Sequence, residues 1–243
     1  MGFVITMPAS GRVEAMKSAD LHERFAQELS RVMVDSGVRL LQIGAGDGRR
    51  HDPIFGFMKR NSGAQGVFIE PMLEYFEALV QNYHDKVGST FLNLAVTPEG
   101  GERVIHFVDP AAVASGVVPA WAFGISSLLP NRNAISGALV SEDSFAKIRE
   151  HVRTRRIHSI SSTALIEAGL DRGANVYVSD CEGMDADILM AMPSTFRPKV
   201  LLMEWMLLDT EEGDALVSFL NPDYELLSDG IDLLCVRRKV VSQ

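Results

Sequence analysis

The sequence has few cysteines, a deficit of positive charge and no long apolar run. Its 243 residues carry 23 Lys and Arg against 32 Asp and Glu, a formal net charge of −9 at pH 7. This balance provides no basic surface for the phosphates of duplex nucleic acid. Only Cys181 and Cys235 are present, and no stretch resembles a signal peptide or could span a bilayer. We therefore expect a cytoplasmic protein with free thiols, no nucleic-acid or membrane partner, and a small-molecule or carrier-bound substrate.

Short apolar runs alternate with segments of helical period. The hydrophobic content of 47% suffices for one α/β domain of ordinary size. Uniformly apolar runs are typical of parallel strands buried on both faces, and their alternation with helices predicts a doubly wound α/β sheet. The predicted strands are 38–43, 66–69, 90–96, 104–108, 175–179 and 200–203, and the predicted helices are 73–83, 162–168 and 186–191.

The two ends of the chain depart from this alternation. Apolar residues recur at helical spacing from Leu21 to Met33, after Asp20 and Glu23 in a capping-box-like arrangement. They predict an N-terminal helical segment over 1–37, with the main domain over 38–243. At the other end, the runs 224–227 and 231–236 are joined by a short turn, which predicts an antiparallel hairpin at the sheet edge.

Residues 109–155 interrupt the regular pattern. This stretch contains several prolines, the aromatic residues Trp121 and Phe123, and a helix-like segment at 144–153. A segment this long within a compact domain is usually a lid or part of a substrate site. Trp121 and Phe123 would either close over a substrate or pack the segment onto the core.

The sequence LLQIGAGDG at 40–48 is the main binding motif. Gly44, Gly46 and Gly48 follow a predicted strand with a spacing of two, whereas dinucleotide-binding loops carry G-x-G-x-x-G. The tighter turn suits a ligand without a pyrophosphate. Glu70 ends the next strand 70 − 48 = 22 residues later, close to the interval of about 20 for an acid that binds ribose hydroxyls. An adenosine-containing ligand is predicted; a purely structural turn and a solvated strand end are the alternatives.

Several segments resemble the FkbM-type S-adenosylmethionine-dependent methyltransferases. The similarity runs in order from about 38 to 237 and is loose in 109–155, where only Ile-Ser-Ser at 125–127 matches. Its most specific parts are the E-P pair at 70–71 and the D-x-E-G-x-D pattern at 180–185. The matching segments are IGAGDG at 43–48, DPI at 52–54, VFIEP at 67–71, NY at 82–83, SDCEGMDADIL at 179–189, MEW at 203–205 and DLLCV at 232–236.

The resemblance implies a class I methyltransferase fold, a Rossmann-like sheet that is mostly parallel with a C-terminal antiparallel hairpin. It implies that Glu70 holds the cofactor's ribose diol, that Asn93 and Ala95 lie near the adenine, and that Asp180 faces the reacting methyl group. Gln42 stands where many methyltransferases carry an acid, and it could bind the cofactor's amino end. The full set of expected cofactor-binding residues is Gln42, Gly44, Ala45, Gly46, Gly48, Asp52, Glu70, Pro71, Asn93, Ala95 and Asp180.

Methyl transfer to an alcohol is helped by a general base at the strand ends. Asp180 is the first candidate, and His51 and His158 are the others, although a lone histidine is more often structural. Carboxylates could also hold a hard cation such as Mg²⁺ against the acceptor oxygen. The candidate metal ligands are Asp180, Glu182, Asp185 and Glu204, with the first turn of the next helix as the alternative role of Asp185.

Arginines cluster at the end of the predicted 144–153 helix. Arg149, Arg153, Arg155 and Arg156 form either a solvated basic face or a site for an acidic substrate. The predicted activity is O-methylation of a hydroxyl on a small molecule such as a sugar, a polyketide or another secondary metabolite. The rivals are an NAD(P)-dependent oxidoreductase on a similar sheet and a non-catalytic cofactor-binding protein. The acceptor is not identified, and a homo-oligomer is compatible with the sequence.

Overall fold

The computed structural model describes residues 13–131, 134–135 and 140–239. The strands are β1 (Glu14–Ala15), β2 (Arg39–Ile43), β3 (Gln65–Ile69), β4 (Thr90–Leu92), β5 (Ala95–Thr97), β6 (Gly101–Val108), β7 (Ser126–Ser127), β8 (Val152–Ser161), β9 (Val176–Ser179), β10 (Val200–Glu204), β11 (Tyr224–Ser228) and β12 (Asp232–Arg237). The helices are α1 (Ser18–Ser36), α2 (Phe55–Arg60), α3 (Leu73–Asn82), α4 (Pro110–Ala114), α5 (Glu142–Glu150), α6 (Ser162–Glu167), α7 (Asp185–Met190) and α8 (Thr210–Leu220), with a 3₁₀ turn at Ala120–Ala122.

The main sheet has eight strands in the order β1-β11-β12-β10-β9-β2-β3-β4. Strands β4, β3, β2, β9 and β10 are parallel neighbours, whereas β12 runs antiparallel to both β10 and β11. The predicted fold class, a mostly parallel α/β sheet with a C-terminal antiparallel hairpin, is confirmed. The hairpin is inserted with β12 next to β10, and the two-residue β1 covers the outer side of β11.

Side chains of the central strands point alternately into two separate apolar clusters, one on each face of the main sheet. Leu41 and Ile43 of β2 pack in one cluster with Ile188 of α7. Leu40 points to the opposite face and packs with Phe25 of α1. Because strand side chains alternate between faces, a strand covered by helices on both sides must be apolar throughout.

Helix α1 begins earlier than its predicted cap. The N–H of Leu21 already donates to the carbonyl of Lys17, so the chain is helical before Asp20 could act as N-cap. The predicted capping arrangement of Asp20 and Glu23 is therefore wrong, and both residues lie within the helix. The capping box that the structure does contain joins Asp209 and Glu212 at the start of α8.

A second sheet, of four strands in the order β5-β8-β6-β7, replaces part of the predicted parallel sheet. The run 104–108 belongs to β6, which pairs antiparallel with β8 from Gly101↔Ser159 to Val108↔Val152. The prediction that this run is a parallel strand of the main sheet is wrong. Its apolar residues pack in smaller clusters beside the main core, and this covered face gives the run its apolar composition.

The predicted strand 90–96 divides between the two sheets. β4 ends at Leu92, whose carbonyl accepts from the N–H of Glu70. The Asn93 side chain then donates to the carbonyls of Glu70 and Pro71, which ends the pairing with β3. The chain continues as β5 beside β8.

The predicted helix at 144–153 spans Glu142–Glu150 instead. Val152 starts β8 and pairs with Val108, so long-range pairing overrides the local helical pattern. The final residues of the 109–155 segment thus form part of a sheet.

Candidate active site

A cavity of about 660 Å³ opens at the carboxyl ends of β2, β3, β9 and β10. Ligands of open α/β sheets bind in this position, outside the carboxyl ends of the strands. Nine of the residues expected at the cofactor line it: Gln42, Gly44, Ala45, Gly46, Asp52, Glu70, Pro71, Ala95 and Asp180. His51 and Glu182 line it as well.

The glycine loop is shaped by two different close approaches. Gly44 has φ +72°, and a Cβ there would overlap the carbonyl oxygen of Asp180 at the end of the neighbouring strand. Gly48 has φ +68°, and a Cβ there would stand 2.7 Å from Cε2 of Tyr83 and also overlap Leu79. Gly48 packs against α3 and is not among the cavity residues, so its expected cofactor contact stays a prediction.

Glu70 links the second parallel strand to the glycine loop. Its carboxylate accepts from the N–H of Gly46 at 2.8 Å and from the N–H of Met72 at 2.7 Å. The side chain is only 3% exposed. Burial raises the pKa of Glu70 to about 7, while the two backbone hydrogen bonds oppose that rise. Each oxygen retains a further lone pair, so the oriented carboxylate can also accept hydrogen bonds from a ligand.

Gln42 of β2 and Asp52, in the segment just before α2, form a polar part of the cavity wall. Asp52 accepts from the N–H of Ile54 at 2.8 Å and from the Tyr83 hydroxyl at 3.2 Å. Burial raises the pKa of Asp52 to about 6. Gln42 is 4% exposed, and its Oε1 has no hydrogen-bond partner among the described residues. A buried unpaired acceptor in a cavity wall is a binding group for a ligand donor.

Asp180 and His51 face the cavity from two different loops. The Asp180 N–H donates to the carbonyl of Ile43, which extends the β2–β9 pairing to the edge of the cavity. Asp180 is exposed to the cavity, and the surrounding protein keeps much of the bulk water away from its carboxyl group. This desolvation raises the pKa of Asp180, and the nearby His51 opposes the rise. His51 has φ +56° in the left-handed region, a conformation that non-glycine residues rarely adopt outside constrained sites.

Three further carboxylates surround Asp180 on the side away from the glycine loop. Glu182, Glu204 and Asp232 line the cavity. Burial raises the pKa of Glu204 to about 10, with Asp180 and Glu182 adding to the rise. Burial likewise raises the pKa of Asp232 to about 6. The raised pKa values mean that these carboxyl groups lose their protons less readily than isolated carboxyl groups do.

The predicted Mg²⁺ site is not supported by this arrangement. Among the described residues, no group of three or more His, Cys, Asp or Glu side chains is placed to hold a metal ion. Asp185, one of the four candidate ligands, is fully buried and accepts from the N–H of Cys181 at 3.0 Å. Its carboxylate stabilises the turn before α7, the structural alternative raised for it.

Two candidates lie away from the cavity. His158 is exposed on β8 opposite Glu102, and the structure does not place it as a base for chemistry in the cavity. Asn93 is exposed and holds the carbonyls of Glu70 and Pro71, so it shapes the strand end without lining the cavity.

The arginine cluster is largely used in ion pairs on the protein surface. Arg155 donates to both carboxylate oxygens of Glu74, at 2.7 and 2.6 Å. Arg156 pairs with Glu102. These contacts join β8 to α3 and to β6, and they do not support the alternative of a binding site for an acidic substrate.

Several cavity residues were not identified from the sequence. Helix α1 contributes His22, whose Nε2 lies 3.7 Å from Asp232. Arg50 places its guanidinium 4.1 Å from the centre of the Phe123 ring, and Tyr75 packs on the same ring at 4.9 Å. Asp232 lies in a segment that resembles the FkbM-type family, and this is the one signal in the sequence that points to it. The other contacts depend on residues far apart in sequence.

The comparisons with known proteins give distant structural similarity. No family model matches the chain, and no curated protein matches it. One similar structure is a chain of a fibrillarin/Nop5p complex, with 10% identity, a TM-score of 0.40, and coverage of 87% of this chain and 81% of that chain. Another is a putative class I S-adenosylmethionine-dependent methyltransferase from Listeria monocytogenes, with 9% identity and a TM-score of 0.44. That alignment covers 94% of this chain and 62% of the other.

The strand order gives the class of fold without those similarities. The parallel strands with a reversed β12 next to β10 form the mostly parallel α/β sheet with a C-terminal antiparallel hairpin that is expected from the sequence. Membership of the FkbM-type family stays a prediction. Within the described residues, no helix is both long enough and apolar enough to cross a membrane.

Proposed function

We propose that the protein is an S-adenosylmethionine-dependent methyltransferase that methylates a hydroxyl group of a small molecule. The observation that carries this proposal is the hydrogen bond from the Gly46 N–H to Glu70, which joins the G-x-G-x-G loop to the acid of the second strand at the cavity edge. An acid in this position can accept both hydroxyls of a ribose. The spacing of the glycines disfavours a dinucleotide.

The residues present fit this cofactor. Glu70 would accept from the ribose hydroxyls, and the buried, unpaired Oε1 of Gln42 would accept from the ammonium of the methionine part. Ala95 and the neighbouring apolar residues Leu94 and Val96 line the cavity and would border the adenine. When bound, the cofactor supplies an activated methyl group on a sulfonium centre.

Asp180 is the proposed acceptor of the hydroxyl proton. It follows β9 into the cavity beyond the glycine loop, and desolvation by the cavity walls raises the pKa of its carboxyl group. A base with a raised pKa has more driving force for removing a proton from an alcohol. His51 faces the same cavity and is the alternative.

The size of the cavity suits a small acceptor beside the cofactor. Its volume of about 660 Å³ lies within the usual range of roughly 300–1,000 Å³ for small-molecule sites. A sugar, a polyketide or another secondary metabolite remains the proposed acceptor class, and the resemblance to FkbM-type enzymes supports it.

Parallel calorimetric titrations with S-adenosylhomocysteine and NADH test the proposal. We expect a 1:1 complex with S-adenosylhomocysteine and no heat of binding with NADH. Binding of NADH alone would show that the protein belongs to a different cofactor class. A tight complex with S-adenosylhomocysteine and no methyl transfer to any hydroxyl-bearing compound would favour the non-catalytic alternative.

A further inference from the structure

Two carboxylates face each other directly across the β10–β12 pair at the cavity. Glu204 and Asp232 are register partners in this antiparallel ladder, and both line the cavity. Like charges directly opposite each other in a sheet are destabilising. Packing Glu204 and Asp232 opposite each other therefore does not help to stabilise the fold.

The strand order places this pair beyond the cofactor residues. The cofactor side of the cavity is built by β2 and β3, and Asp180 follows β9. Neighbouring strands lie about 4.8 Å apart, so β10 and β12 lie roughly 5 and 10 Å past β9 on the other side. This part of the cavity is where an acceptor would lie.

Among the described residues, lysine and arginine do not balance this negative charge. Within the ranges that the structure describes, no Lys or Arg forms an ion pair with Glu182, Glu204 or Asp232. His22, half exposed on α1, lies 3.7 Å from Asp232. Burial and the neighbouring carboxylates raise the pKa of Glu204, which supports a site that is short of positive charge.

An unpaired polar atom at the same place indicates a ligand with hydrogen-bond donors. The Oε2 atom of Glu204 is buried at the cavity and has no hydrogen-bond partner among the described residues. Buried polar groups normally have partners, so this acceptor indicates a bound donor.

We propose that Glu204, Asp232 and Glu182 form a subsite for a protonated amine of the acceptor. The acceptor is thus a small molecule that carries both a hydroxyl group and an ammonium group, such as an amino sugar or an amino alcohol. Met206, Leu207 and Ile231 line the cavity beside the carboxylates and contact its carbon skeleton. The subsite rests on the proposed function, since it specifies the acceptor of the same methyl transfer.

A panel of hydroxyl-bearing primary amines, each paired with its N-acetyl derivative, tests this subsite. The protein is first titrated with S-adenosylhomocysteine, and the complex is then titrated with each pair in a calorimeter. Methyl transfer from labelled S-adenosylmethionine is measured in parallel. We expect the amine member of each active pair to be favoured at least about tenfold, the effect of one hydrogen-bonded charge pair.

Matched variants assign this preference to the carboxylates. Glu204→Gln and Asp232→Asn keep the side-chain shape and should reduce the preference to about threefold or less. Glu77→Gln, an exposed acid on α3 outside the cavity, is the control and should keep it.

The outcomes separate this subsite from the cofactor assignment. If S-adenosylhomocysteine binds but amines show no advantage over their N-acetyl derivatives, or no amine binds at all, the subsite is wrong while the cofactor site stands. If S-adenosylhomocysteine does not bind, the proposed function fails, and amine titration of the protein alone still decides whether the carboxylates bind ammonium. An unchanged preference in Glu204→Gln and Asp232→Asn would also overturn the subsite.

Discussion

At the scale of single residues, the site depends on carboxylates that are oriented by the backbone. Glu70 is held by the N–H groups of Gly46 and Met72, and Asp52 by the N–H of Ile54. Such bonds fix the direction of a carboxylate without neutralising it, which prepares it to accept hydrogen bonds from a ligand. Substitutions can therefore separate binding from chemistry.

At pH 8, above the raised pKa of Glu70, Glu70→Gln should weaken binding of S-adenosylhomocysteine by roughly tenfold, because a charged acceptor of the ribose hydroxyls becomes neutral. Asp180→Asn should lower kcat by a factor on the order of 10² with a much smaller change in binding, as expected for a general base. Calorimetry and initial rates measure the two effects. Equal small effects from both variants would contradict the assigned roles, and Glu77→Gln serves as the neutral control.

Gly48→Ala should destabilise the fold by about 1–3 kcal/mol, because its Cβ would collide with Leu79 of α3 and with Tyr83 just after it. Gly46→Ala is the matched control: its φ of +53° is also left-handed, but no atom lies within 4 Å of the added Cβ. Urea unfolding of both variants measures the difference. Equal losses would show that backbone conformation alone explains the cost.

At the scale of elements, the ends of helices and strands decide where the site residues lie. The carboxyl ends of β2, β3 and β9 meet at one edge of the sheet and bring Gln42, Glu70 and Asp180 to one cavity. The following helices begin at that edge. Substitutions at the N-caps of these helices therefore test the stability of the fold separately from ligand binding in the cavity.

Asp209→Ala should lower the free energy of unfolding by about 1 kcal/mol, because its side chain accepts from the N–H groups of Glu211 and Glu212. Asp20→Ala should cost less than half as much, since Asp20 lies inside α1 and makes no capping bond. Chemical denaturation compares the two variants. If Asp20→Ala lowered the free energy of unfolding more than Asp209→Ala, the capping box predicted from the sequence would be supported instead.

At the scale of the whole molecule, the concentration of buried carboxyl groups couples folding to pH. The pKa values of Glu70 and Asp185 are raised to about 7, and that of Glu204 is raised to about 10, chiefly by burial. Their ordinary values are 4.5 for Glu and 3.8 for Asp. The folded state therefore binds more protons than the unfolded state between these values.

The free energy of unfolding should consequently fall as the pH rises from 5 to 8. The stabilising effect of these groups is complete below their unfolded pKa values and is lost as the pH passes their folded values. Glu204→Gln should raise the Tm at pH 8 by a few degrees relative to the native chain, on the usual scale of about 2–4 °C per kcal/mol, and should change it less at pH 5. Thermal unfolding across this range tests the sign. A stability that rises with pH would contradict the raised pKa values.

Much of the main sheet could be predicted because its signals are local. The apolar runs of β2, β3, β9 and β10 each lie within a few residues, and their burial on both faces follows directly from that composition. The position of β6 could not be predicted in this way. Its apolar run resembles a parallel strand, and only pairing with β8, about 50 residues later, places it in the second sheet.

The sequence by itself determined the parallel sheet, the reversed hairpin and the line of glycines and acids at its carboxyl edge, because strand composition and turn spacing act over short distances. Tertiary structure alone decided that Gly48 packs against α3, that His158 lies outside the cavity, and that His22 and Asp232 meet within it. It also decided the protonation of the carboxyl groups, since burial and charge proximity arise only when distant segments assemble. The difference is physical: the first group depends on neighbours along the chain, and the second on neighbours in space.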